Sequence, residues 1–254
     1  MSEQVSVERT HEGAVLAITL KRPEARNAIT VGMYAALADA VEGAADDPGM
    51  RLITIRGQGE DFTAGNDLMD FLKEMPQPGG HEDVPVWRFL AAMAANEIPI
   101  LAGVQGNAIG IGTTMLFHCD LVLAERGCRF KMPFVDLGLV PEAASSLILP
   151  RLGGRRRAAR YLLLGEDFGA DEALSMGLAS HVADKGGLDD EFDRLIATIL
   201  AKPAEAMRQT QALLRAADRS EIGERMTKEN AHFAERLTSD EVKQAIADFF
   251  ATRA

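Results

Sequence analysis

Cysteine is scarce in this chain, with two in 254 residues, Cys119 and Cys128. Both lie in or beside apolar runs, so reduced, buried thiols are expected and a disulfide framework is disfavoured. The five histidines are scattered, without the paired spacing of metal ligands, so no metal site is expected. Basic residues are in deficit, 27 Lys+Arg against 38 Asp+Glu, for a net charge of −11. That argues against nucleic acid and against an anionic membrane surface. It is no barrier to an anionic small ligand, which needs only a local basic pocket. No apolar run reaches the length of a membrane span, and residues 1–10 are polar where a signal peptide needs an apolar core. The expectation is a cytoplasmic protein.

What the chain does have is a large apolar fraction, 47%, enough for a sizeable core at a length near the upper end for one domain. Residues 100–124 read I-L-A-G-V-Q-G-N-A-I-G-I-G-T-T-M-L-F-H-C-D-L-V-L-A. A strand-like run over 98–104 leads through Gly106, Gly110 and Gly112 into T-T-M-L-F, which can start a helix. A second strand-like run follows at 121–124. Glycine lets a ligand approach the backbone closely, and the first N–H groups of a helix lack partners within it. Gly110-Ile111-Gly112 would then offer N–H donors to an anion or a polarised carbonyl. A glycine-rich turn serving only tight strand–helix packing is the alternative. A dinucleotide fingerprint is disfavoured: Met115 stands where its third glycine belongs, and residues 131–134 stand where its acid belongs.

Along the chain, 14–20 and 52–55 read as strands. Met33, Leu37, Ala40, Val41 and Ala44 recur at helical spacing, as do Val86, Leu90 and Met93 beside Trp87. Residues 21–27 form a turn-rich loop with two arginines. Phe62-Thr63-Ala64-Gly65-Asn66-Asp67 is a second place where a strand yields to a helix through a glycine, with Asn66 and Asp67 as N-cap types. Residues 73–83 carry two prolines and two glycines and read as a mobile loop of the kind that borders sites. Pro141 is placed in a helix's first turn, with 143–149 continuing that helix to Pro150. Helical patterns follow at 155–164, at 170–176 and from Leu188 onward. The layout is an α/β body with a helical C-terminal segment.

The order and spacing of these motifs resemble the enoyl-CoA hydratase/isomerase (crotonase) superfamily. The resemblance rests on L-K-R-P-E-A-R-N-A at 20–28, F-T-A-G-N-D-L at 62–68, G-N-A-I-G-I-G at 106–112, C-D-L-V-L-A at 119–124, F-V-D-L-G-L-V-P-E-A-A-S-S at 134–146 and P-R-L-G-G at 150–154. It implies a spiral core of ββα repeats over 1–190 and a helical trimerisation segment over 191–254, in a homotrimer or hexamer. It implies an acyl-CoA or enoyl-CoA thioester as ligand, with coenzyme A as part of the substrate and no separate cofactor. In this family two backbone N–H groups hold the thioester oxygen, and by position these would be Ala64 and Ile111. Such preorganised donors stabilise the charge that builds on the oxygen when a neighbouring proton leaves. Around them the resemblance places Ala25, Arg26, Gly65, Asn66, Asp67, Gly110 and Phe134 against the substrate. Met69, Phe71, Met75 and Trp87 join Phe134 as candidates to line an acyl pocket, each with plain core as the alternative.

Hydratases of the family use two glutamates, whose positions hold Thr114 and Phe134 here. Neither can act as a carboxylate acid or base, so two-glutamate hydration is disfavoured. Glu142, in V-P-E-A-A-S-S, resembles the single catalytic acid of Δ3,Δ2-enoyl-CoA isomerases of the peroxisomal type. Its apolar neighbours Val140, Ala143 and Ala144 would raise its pKa. The alternative for Glu142 is a helix first-turn acid. Asp136 is the second candidate base, with a capping or salt-bridging role as its alternative. Arg26 is the better candidate for CoA contact, ahead of Arg155, Arg156 and Arg157, and His118 reads as packing. An atypical hydratase acting through Asp136 and a non-catalytic acyl-CoA binding protein are the rival functions.

Overall fold

The computed structural model describes residues 4–73 and 84–251, without the side chains of 71–73 and 249. The chain opens on a hairpin of β1 (Val5–Thr10) and β2 (Val15–Leu20). β1 escapes a sequence reading because only Val5 and Val7 are apolar. It is the edge of its sheet, where one face meets water. Then come α1 (Val31–Ala45), β3 (Leu52–Gly57), α2 (Leu68–Lys73), α3 (Pro85–Ala95) and β4 (Ile100–Val104). The expected loop at 73–83 falls, beyond Lys73, outside the described residues, as does Met75. β5 (Asn107–Ile109), α4 (Ile111–Thr114), β6 (Leu121–Glu125), β7 (Arg129–Lys131), α5 (Ser145–Gly153) and α6 (Arg155–Leu163) follow. The chain continues through β8 (Phe168–Gly169), α7 (Ala170–Met176) and β9 (His181–Ala183). It closes on α8 (Leu188–Leu200), α9 (Ala204–Ala216), α10 (Arg219–Leu237) and α11 (Asp240–Ala251).

Two sheets organise the body. The larger has the order β1-β2-β3-β4-β6-β9 and is parallel from β2 onward. The smaller has the order β5-β7-β8, and its line is extended by single parallel bridges, Thr63 to Ala108 and Ile29 to Asn66. One unit therefore recurs: a strand in the large sheet, a short strand or bridge in the small one, then a helix. β2–Ile29–α1, β3–Thr63–α2, β4–β5–α4 and β6–β7–α5 are its four turns, the expected ββα repeats. Three-residue strands are too short to show alternation, so the second strand of each unit is invisible to pattern.

Both faces of β3, β4 and β6 are covered, which is why these strands of the large sheet read as unbroken apolar runs. Ile53, Ala102 and Val122 face the main core with α1 and α3. Leu52, Leu101 and Leu123 face the other way, onto Phe192, Leu195 and Ile199 of α8. The expected boundary at 190/191 thus falls inside a helix that seals the sheet.

Around Pro141 the expectation is corrected. The helix starts at Ser145, after two left-handed residues, Ala143 and Ala144, and Pro150 lies inside it. The Ser145 N–H and hydroxyl both donate to the Glu142 carbonyl, closing a turn ahead of the helix. Glu142 is therefore no first-turn helix acid.

Candidate active site

The loop at 21–28 is stitched to the segment at 62–67. Asn27, fully buried, donates through Nδ2 to the Gln58 and Asp61 carbonyls at 2.9 and 2.8 Å. Its own carbonyl accepts the Thr63 hydroxyl at 2.6 Å. The Arg22 guanidinium pairs with Asp67 at 2.8 Å. Burial raises the Asp67 pKa, but Arg22 and the Asp70 and Met69 N–H groups outweigh it and hold the carboxylate low.

These bonds decide which amides are open. The Ala64 N–H donates to the Arg26 carbonyl at 2.9 Å, so the expected donor at Ala64 is already engaged. In the parallel bridge between Ile29 and Asn66, Ile29 N–H donates to Gly65 and Asp67 N–H donates to Ile29. That pattern leaves the N–H of the bridging residue itself pointing away from Ile29. Among the described residues no acceptor takes the Asn66 N–H, nor that of Ile111, which opens α4. Thr63 pairs with Ala108, so extending that register sets Asn66 opposite Ile111. Two close approaches hold the segments there. Gly65 has φ +89°, and a Cβ on it would lie 2.6 Å from the Ile109 carbonyl oxygen. A Cβ on Gly112 would lie 2.5 Å from Thr63 Cγ2. As α4 is a single turn, its contribution is the bare N–H rather than a helix dipole.

A cleft of about 1130 Å³ opens on this place. Its floor is Ala64, Gly65, Asn66, Asp67, Gly110 and Ile111, with Ala25 and Arg26 at one side. Phe134, Leu139, Phe233 and Ile246 make an apolar wall, with Phe134 edge-on to Phe233 at 6.5 Å. Met69 lines the cleft as well, whereas Trp87 is core. Arg26, Arg129 and Lys131 also line the cleft, each beside a carboxylate: Asp61, Asp167 and Asp136. All nine expected substrate-contact residues thus border one space.

Glu142 does not line that cleft; it is sealed behind it, 2% exposed. The α4 segment nevertheless reaches it directly, and the Asn66 segment is linked to it through Tyr34. The hydroxyl of Thr114, three residues after Ile111, donates to Glu142 Oε1 at 3.3 Å. Tyr34, from α1, donates to Asn66 Oδ1. Burial, and after it the charge of Glu142, raises the Tyr34 pKa well above 10.0. Burial pushes the Glu142 pKa up to about 8, opposed by the Thr114 hydrogen bond and helped by the charge of Glu229. His118 is buried behind the same turn, its Nε2 3.0 Å from the Ala143 carbonyl oxygen. Burial pulls its pKa down to about 4 against that bond, so the imidazole is neutral.

Asp136 lines the cleft but sits in an ion pair with Lys131 at 3.2 Å, the side chain about half exposed. Cys128 is buried, with its thiol pushed up to about 12 by burial and Glu125; burial raises the Cys119 thiol as well. Sequence reasoning missed Asn27, Tyr34 and Glu229. Tyr34 carried one signal, a hydroxyl on the otherwise apolar buried face of α1. Among the described residues no three His, Cys, Asp or Glu group as a metal site, and no helix is long and apolar enough to cross a membrane.

Residues 10–254 match the family model described as enoyl-CoA hydratase/isomerase. The chain is 31% identical over 244 residues to enoyl-CoA delta isomerase 2 of Rattus norvegicus, covering 94% of this chain and 62% of that protein, under two thirds of its length. It is 30% identical over 256 residues to crotonyl-CoA hydratase of Syntrophomonas wolfei, covering 99% of this chain and 96% of that one. A crystal structure of an enoyl-CoA hydratase/isomerase from Pseudoalteromonas atlantica T6c superposes with a TM-score of 0.92 at 39% identity, covering 99% and 98% of the two chains.

Proposed function

This chain belongs to the enoyl-CoA hydratase/isomerase family, whose members act on acyl-CoA thioesters, and we propose that it is an isomerase that shifts the double bond of an enoyl-CoA. The observation that carries this reading is one buried, protonatable carboxyl, Glu142, hydrogen-bonded to Thr114 of the helix that opens at Ile111 and within charge reach of Tyr34, which in turn donates to Asn66. The family resemblance puts Thr114 and Phe134 where a two-glutamate hydratase would need its acids, which supports the isomerase reading.

The thioester oxygen lies between the Asn66 and Ile111 N–H groups. Ionised Glu142 removes a proton from C2; the C–H electron pair forms the C1–C2 double bond and the carbonyl π pair moves onto the thioester oxygen, giving a dienolate conjugated with the C3–C4 double bond. Each donor stabilises the charge on that oxygen by about 3 kcal/mol. Protonated Glu142 returns the proton at C4, and the pair settles between C2 and C3. No water and no second acid enter. Since Glu142 lies behind the lining of the cleft, the acyl end reaches inward past Ile111 for C2 and C4 to meet it.

The test is conversion of a 3-enoyl-CoA to the conjugated 2-enoyl-CoA, followed by absorbance. Glu142→Gln should lower kcat by about a thousandfold, the usual range for a lost general base, with KM changed little. Turnover equal to wild type would remove Glu142 from the reaction. One observation favours a second reading, hydration through Asp136: that carboxylate, unlike Glu142, borders the cleft. Hydration of a 2-enoyl-CoA that is lost in Asp136→Asn and kept in Glu142→Gln would establish it instead.

A further inference from the structure

The turn that carries Glu142 is held from its far side by the helical tail. Ala143 and Ala144 are consecutive left-handed residues, φ 58° and 55°, a conformation that side-chain-bearing residues keep only when their surroundings impose it. His118 holds the Ala143 carbonyl on one side. On the other, α10 brings in Glu229, 6% exposed, whose Oε1 accepts the Ser146 N–H at 3.0 Å and the Ser146 hydroxyl. Arg225, one turn earlier in α10, donates to the same hydroxyl at 3.2 Å. Glu229 Oε2 is buried without a hydrogen-bond partner. A carboxyl in that position is costly to keep, and no step of the isomerisation uses it.

We propose that Glu229 is a positioning residue for the base: it pins the left-handed turn at Ala143–Ala144 and sets a second carboxylate near enough to Glu142 for their charges to interact. The inference rests on Glu142 as the base. Among the described residues three groups bear on Glu142, from three elements: Tyr34 of α1, Thr114 of α4 and Glu229 of α10, while His118, of the short turn after α4, holds the carbonyl of the next residue, Ala143. Tyr34 and His118 are both neutral near neutral pH. Thr114 does not titrate, which leaves Glu229 as the variable charge. Burial raises Glu229 too, but the Ser146 hydroxyl, the Ser146 and Ala144 N–H groups and the charge of Arg225 favour its ionised form. Glu142 has the Thr114 hydroxyl alone. Glu229 therefore has more support for its charge than Glu142 has, and that charge keeps a proton on Glu142 to higher pH. That suits the returning half of the reaction, in which Glu142 acts as an acid.

The test uses Glu229→Gln, which keeps the acceptor and loses the charge, and Glu229→Ala, which loses both. The infrared carboxyl band of protonated Glu142, identified by its absence in Glu142→Gln, is followed against pH. In Glu229→Gln the Glu142 midpoint should fall by about one pH unit, as expected for removing a nearby like charge, and the rising limb of kcat/KM should fall with it. In Glu229→Ala kcat should drop at least about tenfold further, with KM within about twofold, as the base loses its placement. An unmoved Glu142 midpoint in Glu229→Gln, or equal kcat in the two variants, overturns the proposal. The band reports whether or not Glu142 is the base. Full turnover in Glu142→Gln with a shifted band in Glu229→Gln would refute the isomerase reading and leave the coupling standing.

Discussion

Glu142 shows how far burial can carry a side chain from its ordinary behaviour. With a single hydroxyl donor and an acidic neighbour, its carboxyl holds its proton up to about 8 instead of 4.5. Unfolded, the same group ionises near 4.5. Between those values the unfolded chain has released a proton that the folded chain keeps, so stability falls as pH rises through the window and is flat on either side. Glu142→Gln removes the titration. Its unfolding free energy should gain on wild type steadily from about pH 4.5 to about pH 8, by a few kcal/mol in all at about 1.4 kcal/mol per pKa unit, and its thermal midpoint should rise with it. Melting curves at stepped pH check this. A constant difference between the two proteins would mean that the carboxyl is not held neutral.

At the scale of elements, the site is a gap between two parallel segments that stop pairing at the same register. Residues 62–66 and 107–111 are bridged at Thr63 and Ala108, lie too close at Gly65 to admit a side chain, and then part into α2 and α4. The unpaired amides at that parting are Asn66 and Ile111. Gly65→Ala should force them apart, because its Cβ meets the Ile109 carbonyl oxygen at 2.6 Å and its φ is +89°. The expected result is a fall in kcat of about a hundredfold or more, the cost of one misplaced oxyanion donor, and about 1–3 kcal/mol of stability from the strained backbone. Steady-state kinetics and thermal melts read both. Wild-type kcat in this variant would show that the gap is not where the oxygen is held.

At the scale of the whole molecule, the tail is joined to the body by polar ties as much as by apolar ones. The Arg215 side chain of α9 is 14% exposed and donates to the carbonyls of Met93, Asn96 and His118 and to the Asp120 carboxylate. Asp120 in turn accepts the Ile100 N–H at 2.8 Å, at the start of the strand that leads to the site. Arg215→Ala takes the charge partner from the carboxylate, leaving it the Ile100 N–H and the Gln211 amide, and takes a donor from three carbonyls. It should lower stability by about 3 kcal/mol, the scale for breaking a largely buried pair, measurable by urea denaturation. An unchanged denaturation midpoint would show that the tail does not need this tie.

Much was legible in the residues alone. Unbroken apolar runs marked β3, β4 and β6, helical spacing marked α1, α3 and α8, and glycines marked both places where a strand gives way to a helix. Each of these signals is local, written in neighbours a few positions apart. The three-residue strands, the start of α5 and the engaged Ala64 amide were not legible, because each is settled by partners far away: β7 beside β5, Glu229 against Ser146, the Arg26 carbonyl on Ala64. The chemistry of the site was carried by residue types and their order. Which amides stay open, and which carboxyl keeps its proton, was decided only by the folded chain. An amide's direction is set by the strand beside it, and a carboxyl's charge by how little water and how few donors the packing leaves it.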